Sequence, residues 1–236
     1  MTGVFRSRVF FRRSFFALFL VAALSGACGR LKQWAYEGLS RDEWQQPDRV
    51  VESLALRPGD RVVDLGAGGG YFTFRLARAV GPAGKLYAVD IDPDMIELVA
   101  EQAQREGFAN VQTVLAASDD PRLPDREIDL VFAANTYHHI GNRVAYFRNL
   151  RKYLAPGGRV AIVEFDERSW FSGVGGHHTP AALILDEMNR AGYELRGRFD
   201  FLDRQSFQIF APRGDAASPH KGPGGPPSLA PPGENR

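Results

Sequence analysis

Val62-Val63-Asp64-Leu65-Gly66-Ala67-Gly68-Gly69-Gly70-Tyr71-Phe72 is the stretch that decides the fold of this chain. Two β-branched residues run into an aspartate, a glycine-rich turn follows, and the apolar spacing then becomes helical at Phe72, Leu76, Ala79 and Val80. The pattern predicts a buried strand, a tight turn and the first turn of a helix. In an α/β protein a nucleotide-like ligand sits at such a junction, because turn glycines let the backbone come close and the helix N-terminus faces the ligand.

Working outward, Pro47 opens a helix with apolar positions Val50, Val51, Leu54 and Leu56. Strands are expected at Leu86–Val89, Val111–Leu115, Ile128–Ala133 and Val160–Val163. Helices are expected from Pro93 to near Gly107, from about Val144 to the Pro156-Gly157-Gly158 turn, and from Thr179-Pro180 through Ala191. Continuous apolar strands alternating with helices predict a parallel sheet covered on both faces. The runs Glu194–Phe199 and Gln205–Phe210 are too close for a crossover helix, so they form an antiparallel pair. The expected fold class is α/β: a seven-stranded Rossmann-like sheet, mostly parallel with an antiparallel last strand, and helices on both faces.

The ends differ from the body. No Asp or Glu precedes Glu37, whereas Arg6, Arg8, Arg12 and Arg13 lead into the apolar run Phe15–Leu24, which is followed by Ser25-Gly26-Ala27-Cys28. This layout predicts a leader over residues 1–28, exported or anchoring the chain to a membrane. The run is shorter than the roughly 20 residues a spanning helix needs. Leu24–Cys28 resembles a lipobox except for Ser25, and Arg12-Arg13-Ser14-Phe15-Phe16 resembles a twin-arginine export pattern. An uncleaved anchor, or a cytoplasmic protein with a misassigned start, is the alternative. Residues 29–46 are expected to lie over the ligand site and 47–210 to form the domain. From residue 211 the chain has seven Pro and five Gly in 26 residues, and it is expected to be a disordered tail. The net charge of +1 leaves no basic surface for nucleic acid, and a single cysteine excludes a disulfide framework or a cysteine-ligated metal. No metal ligand set is expected.

The glycine spacing is Asp64-x-Gly66-x-Gly68-x-Gly70, with Tyr71 where a dinucleotide fingerprint requires its third glycine. Asp90 ends the next strand, where a carboxylate can accept both hydrogen bonds of a ribose diol. Together with Val89-Asp90-Ile91 and the terminal strand pair, the loop resembles the S-adenosylmethionine (SAM) site of class I methyltransferases over residues 36–210. Arg41–Pro47, Asp120–Pro124, Tyr137-His138-His139 and Pro156–Arg159 look like a bacterial small-molecule subgroup, near the ubiquinone/menaquinone-biosynthesis and arsenite methyltransferases in style. The resemblance implies SAM as cofactor, held by Asp64, Gly66, Ala67, Gly68, Gly70, Tyr71, Asp90 and Ile91, with Asn135 nearby. Relatives carry an adenine-binding Asp near position 117, which here is Ala117, so Ser118 or Asp119 is expected to substitute.

Methyl transfer depends mainly on positioning the acceptor, with a base where the acceptor must lose a proton. His138 or His139 is the base candidate, with capping of the next helix as the competing role. Trp44, Tyr137, His138, Glu164 and His177 are expected to line the acceptor pocket, with Thr136, Asp166 and His178 close by. The expected partner is a small-molecule acceptor, with membrane association only through the leader. A non-catalytic envelope protein that retains the fold is the second reading, since SAM is scarce outside the cytoplasm.

Overall fold

The computed structural model describes residues 41–124, 126–166 and 178–214. The leader, Cys28 and most of the proline-rich tail lie outside the described residues, as does His177. Among the described residues no helix is long and apolar enough to cross a membrane.

In chain order the elements are α1 (Arg41–Gln45), α2 (Pro47–Ser53), β1 (Arg61–Leu65), α3 (Thr73–Val80), β2 (Lys85–Asp90), α4 (Pro93–Glu106), β3 (Val111–Leu115) and β4 (Ile128–Ala134). A 3-10 turn at Tyr137–His139 leads to α5 (Arg143–Leu150), and a second at Arg151–Tyr153 leads to β5 (Leu154–Phe165). Then come α6 (Ala181–Arg190), β6 (Tyr193–Phe199) and β7 (Gln205–Pro212). The strands form one sheet in the order β3-β2-β1-β4-β5-β7-β6. The first five are mutually parallel, and β7 runs antiparallel to both β5 and β6.

The continuous apolar runs arise because neighbours along a strand point to opposite covered faces. Val63, Val131 and Ile162 join the core beneath α5 and α6, with Phe147, Leu150, Ile184 and Met188. Val62, Leu130, Phe132 and Ala161 join the opposite core, with Val50, Leu76 and Val80. The cap signals act as expected at α4: Asp92 Oδ1 accepts from Asp94 N at 3.0 Å, Pro93 sits at the first helical position, and Gly107 closes the helix with φ of 76°.

Two boundaries depart from the sequence reading. α5 ends at Leu150, well before Pro156, and Leu154 already pairs with Ile128 in the sheet. Ala155 precedes a proline and is therefore steered away from helical backbone. β7 extends past residue 210, with Ala211 opposite Glu194 and Pro212 opposite Tyr193, so the tail begins later than its composition suggests. Beyond Pro212 one further bond, from Arg213 N to Gly192 O at 2.9 Å, ties the two strands.

β1 turns back at Gly66 directly beneath the chain leaving β4. A Cβ on Gly66 would lie 2.2 Å from Thr136 Oγ1, and its φ is +75°. Gly68 also has positive φ, +51°, but faces open space. Gly68→Ala should therefore cost about 1 kcal/mol of left-handed strain. Gly66→Ala should cost a further ~1–3 kcal/mol from overlap with Thr136. Urea unfolding of the two variants checks the order, and equal losses would contradict the close approach.

Candidate active site

The glycine turn is held from within. The N–H groups of Gly66 and Ala67 both donate to Val89 O, at 2.8 and 3.0 Å, and Gly70 N donates to Ala67 O at 2.9 Å. Gly68 N donates to Asp90 Oδ2 at 2.8 Å, and Asp92 N donates to Asp90 Oδ1 at 3.0 Å. A phosphate-binding turn presents its N–H groups to the ligand. Here Gly66, Ala67, Gly68 and Gly70 spend theirs inside the protein, so the turn is poorly suited to a pyrophosphate.

The charged groups beside it favour a cation. Asp64, at the end of β1, is 3% exposed and accepts from Thr73 Oγ1 at 2.7 Å. Burial raises its pKa from the usual 3.8 to about 6; the Thr73 hydrogen bond opposes this, the Asp90 charge adds to it and Arg41 opposes it. Each oxygen of Asp90 takes one backbone N–H, which leaves lone pairs for a diol.

A cavity of about 490 Å³ runs along the strand tips from this turn. Asp64, Gly66, Gly68, Gly69 and Tyr71 wall one end, and Asp90, Ile91 and Met95 the middle. Ala116, Ala117, Ser118 and Tyr146 close the far end, and Asn135, Thr136 and His139 flank it. Ile91 is 65% exposed beside Asp90, an apolar face suited to a planar base. A wider cleft of about 1040 Å³ lies outside α3, and its charges pair with one another, Arg75 with Asp42 and Asp48, Arg78 with Glu106.

The model of a methyltransferase-domain family matches residues 56–191. The chain belongs to that family. Among curated relatives, the ubiquinone/menaquinone biosynthesis C-methyltransferase UbiE of Ectopseudomonas mendocina is 32% identical over 163 residues, covering 69% of this chain and 60% of that protein. UbiE of Shewanella pealeana is 30% identical over 119 residues, covering 50% and 47%. The chain thus spans about half the length of the curated relatives it matches. A SAM-dependent methyltransferase structure from Aquifex aeolicus superposes with a TM-score of 0.71 at 23% identity, covering 76% of this chain and 96% of that one. The [4+2]-cyclase SpnF superposes with a TM-score of 0.59 at 23% identity, covering 68% and 60%. Proteins of this fold can therefore carry a different named activity, and the site must make the case.

This methyltransferase-domain protein fits SAM on its own geometry. Asp64 and the inward turn suit a cationic methionyl end, Asp90 suits a ribose diol, and Ile91 with Met95 suits adenine. Of the residues expected at the cofactor, Asp64, Gly66, Ala67, Gly68, Tyr71, Asp90, Ile91, Ser118 and Asn135 line the cavity. Gly70 and Asp119 do not: Gly70 backs onto Phe74, where a Cβ would lie 2.7 Å away, and borders the outer cleft.

The expected acceptor residues divide. Tyr137 is fully buried and its hydroxyl donates to Glu187 Oε2 at 2.8 Å, so it belongs to the core and not to a pocket wall. Glu187 is gripped on both oxygens by Arg143, at 2.7 and 2.9 Å. Trp44 packs on Phe165 with ring centroids 5.4 Å apart and does not line the cavity. Glu164 is fully buried at the end of β5. Its Oε1 lies 2.9 Å from His138 Nδ1, and its Oε2 accepts from His138 N at 3.2 Å. His138 in turn packs against His139, with centroids 4.0 Å apart and the rings tilted by 44°, and it is His139 that lines the cavity.

Sequence reasoning missed Arg41 and Tyr146. Arg41 lies 3.7 Å above the Tyr71 ring and lines the cavity. Tyr71 donates to Asp42 of the same helix, and Arg75 bridges to Asp42 at 3.3 Å. A cation four residues ahead of Gln45 in a short polar helix carries no signal of a ligand contact, and Tyr146 sits at an ordinary core spacing.

The raised pKa of Asp64 has a sign that can be checked. Its folded value exceeds its unfolded value, so the protonated form stabilises the fold below pH 4, and that contribution is lost as pH rises through about 6. Asp64→Asn can keep the Thr73 hydrogen bond without the charge. Its stability relative to wild type should grow by ~2 kcal/mol between pH 4 and pH 8 in urea unfolding. A constant difference would contradict the raised value.

Proposed function

We propose that this protein is a SAM-dependent methyltransferase acting on a small-molecule acceptor. The observation that carries the reading is the turn itself, with its N–H groups directed inward and Asp64 and Asp90 spaced along one cavity. When bound, SAM supplies an electrophilic methyl group on a sulfonium. The chain's residues do the rest: Asp90 would fix the ribose, Asp64 and the turn carbonyls would compensate the cationic end, and Ile91 would pack on the base. The named activity of the relatives makes a quinol-type acceptor the first class to assay.

Glu164 and the histidine pair support a proton-accepting role at the acceptor end. A carboxylate facing His138 Nδ1 fixes the tautomer with the proton on that nitrogen. His139 packs against it at the cavity wall and would be the nearer of the two to a bound acceptor. His138 then acts as a positioning residue. The charge and length pattern of residues 1–28 supports attachment of this domain to a membrane, tested by fractionating the full chain and a chain lacking that segment.

The test is calorimetry followed by a labelled-methyl assay against metabolite pools. SAM and S-adenosylhomocysteine should both bind, and Asp90→Ala should weaken them tenfold or more. No binding at millimolar cofactor would sink the reading. His139→Ala should lower turnover at least tenfold with cofactor affinity nearly unchanged. Equal turnover would remove the base assignment and leave the cofactor site intact.

A further inference from the structure

The base end of the cavity lacks an acid. If the diol sits on Asp90 at the tip of β2 and the methionyl end lies at the β1 turn, the base extends the other way, over the tip of β3. Ser118 is the polar side chain that the loop after β3 sets into the cavity wall there. Asp119 lies outside the wall. Asp120 is committed elsewhere: its Oδ1 accepts from Arg122 N at 2.7 Å and Tyr153 OH at 2.7 Å, and its Oδ2 accepts from Asn149 Nδ2 at 2.9 Å and Lys152 Nζ at 2.6 Å.

Two main-chain donors of this loop are committed as well. Ala116 N donates to Asp90 O at 2.8 Å and Ala117 N to Asp120 O at 2.9 Å. Neither N–H remains to read a purine edge.

Tyr146 fills the gap. It is 6% exposed, rises from α5 against Phe147, and lines the same end of the cavity. Its hydroxyl makes no hydrogen bond among the described residues. The residue lines the cavity, so a ligand there can supply the hydroxyl with a hydrogen-bond partner. Burial first, and then the charges of Asp120, Tyr153 and Asp119, hold its pKa above the usual tyrosine value, so it stays a neutral donor and acceptor.

We propose that Tyr146, with Ser118, reads the polar edge of the purine in place of a carboxylate, and that the site therefore accepts a 6-oxopurine nucleoside thioether nearly as well as the 6-amino one. This rests on the SAM reading of the cavity. The chemistry follows from donor and acceptor roles. A carboxylate only accepts, so it pairs with an exocyclic amine and repels a carbonyl at the same position. A phenol and an alcohol can each accept from the amine or donate to the carbonyl. An acid at this place makes base identity strict, and two hydroxyls make it permissive.

The test is calorimetry on the full chain, wild type and Tyr146→Phe, with S-adenosylhomocysteine and its hypoxanthine analogue. Wild type should bind both within about tenfold of one another, and Tyr146→Phe should bind S-adenosylhomocysteine about tenfold more weakly. The thermal midpoint of the ligand-free variant should match wild type, because the hydroxyl has no partner to lose among the described residues. Unchanged affinity in Tyr146→Phe, or a hundredfold preference of wild type for adenine, would overturn the proposal. The wild-type comparison stands even if the variant fails to fold. No binding of S-adenosylhomocysteine by wild type would instead overturn the SAM reading, and this inference with it.

Discussion

One carbonyl oxygen organises the ligand site. Val89 O receives the N–H groups of both Gly66 and Ala67, so the turn after β1 is fastened to the last residues of β2. Those two hydrogen bonds to one acceptor turn the chain at Gly66, where the path clears Thr136 only without a Cβ. The same fastening brings Gly68 N to Asp90 and aligns the carboxylate along the cavity. Strand register, glycine identity and the orientation of the acid are thus one constraint.

The electrostatic character of the site follows from it. With four N–H groups turned inward, the carboxylates of Asp64 and Asp90 are left as the acids beside the turn, with Arg41 as the cation on the same cavity wall. Asp64 carries the cost most directly, since it is buried with one hydroxyl partner and the Asp90 charge nearby. A ligand with positive charge at that end lowers the cost, whereas a phosphate would raise it. Glycine spacing alone does not distinguish these cases; the direction of the N–H groups does.

Much of this was legible in the sequence. β3 runs from Val111 to Leu115 as the apolar run indicated, and Asp90 stands at the strand tip where its position after Val89 put it. The insertion of β7 between β5 and β6 was not legible, because closeness along the chain fixes antiparallel pairing but not which strand takes the sheet edge. Tyr137 and Glu164 were misjudged for a related reason. A polar residue after a strand reads as a pocket residue, yet Tyr137 turns into the core to meet Glu187, and Glu164 turns inward to hold His138. Partners 50 and 26 residues away are invisible to local pattern. Tyr146 escaped because its helical spacing explains it fully as core, and only the lack of a hydroxyl partner marks it.

α1, the first described helix, brings Arg41 to the cavity wall. α1 has only the residues Arg41–Gln45, too few to be stable as an isolated helix. It is held by packing: Arg41 stacks over Tyr71, Tyr71 donates to Asp42, Arg75 reaches the same carboxylate, and Trp44 rests on Phe165. Tyr71 follows directly on the glycine turn, so the anchor of this segment and the ligand loop are a single piece of chain. The segment lies outside residues 56–191, which match the family model, so its anchoring rests on contacts made to that core from outside it.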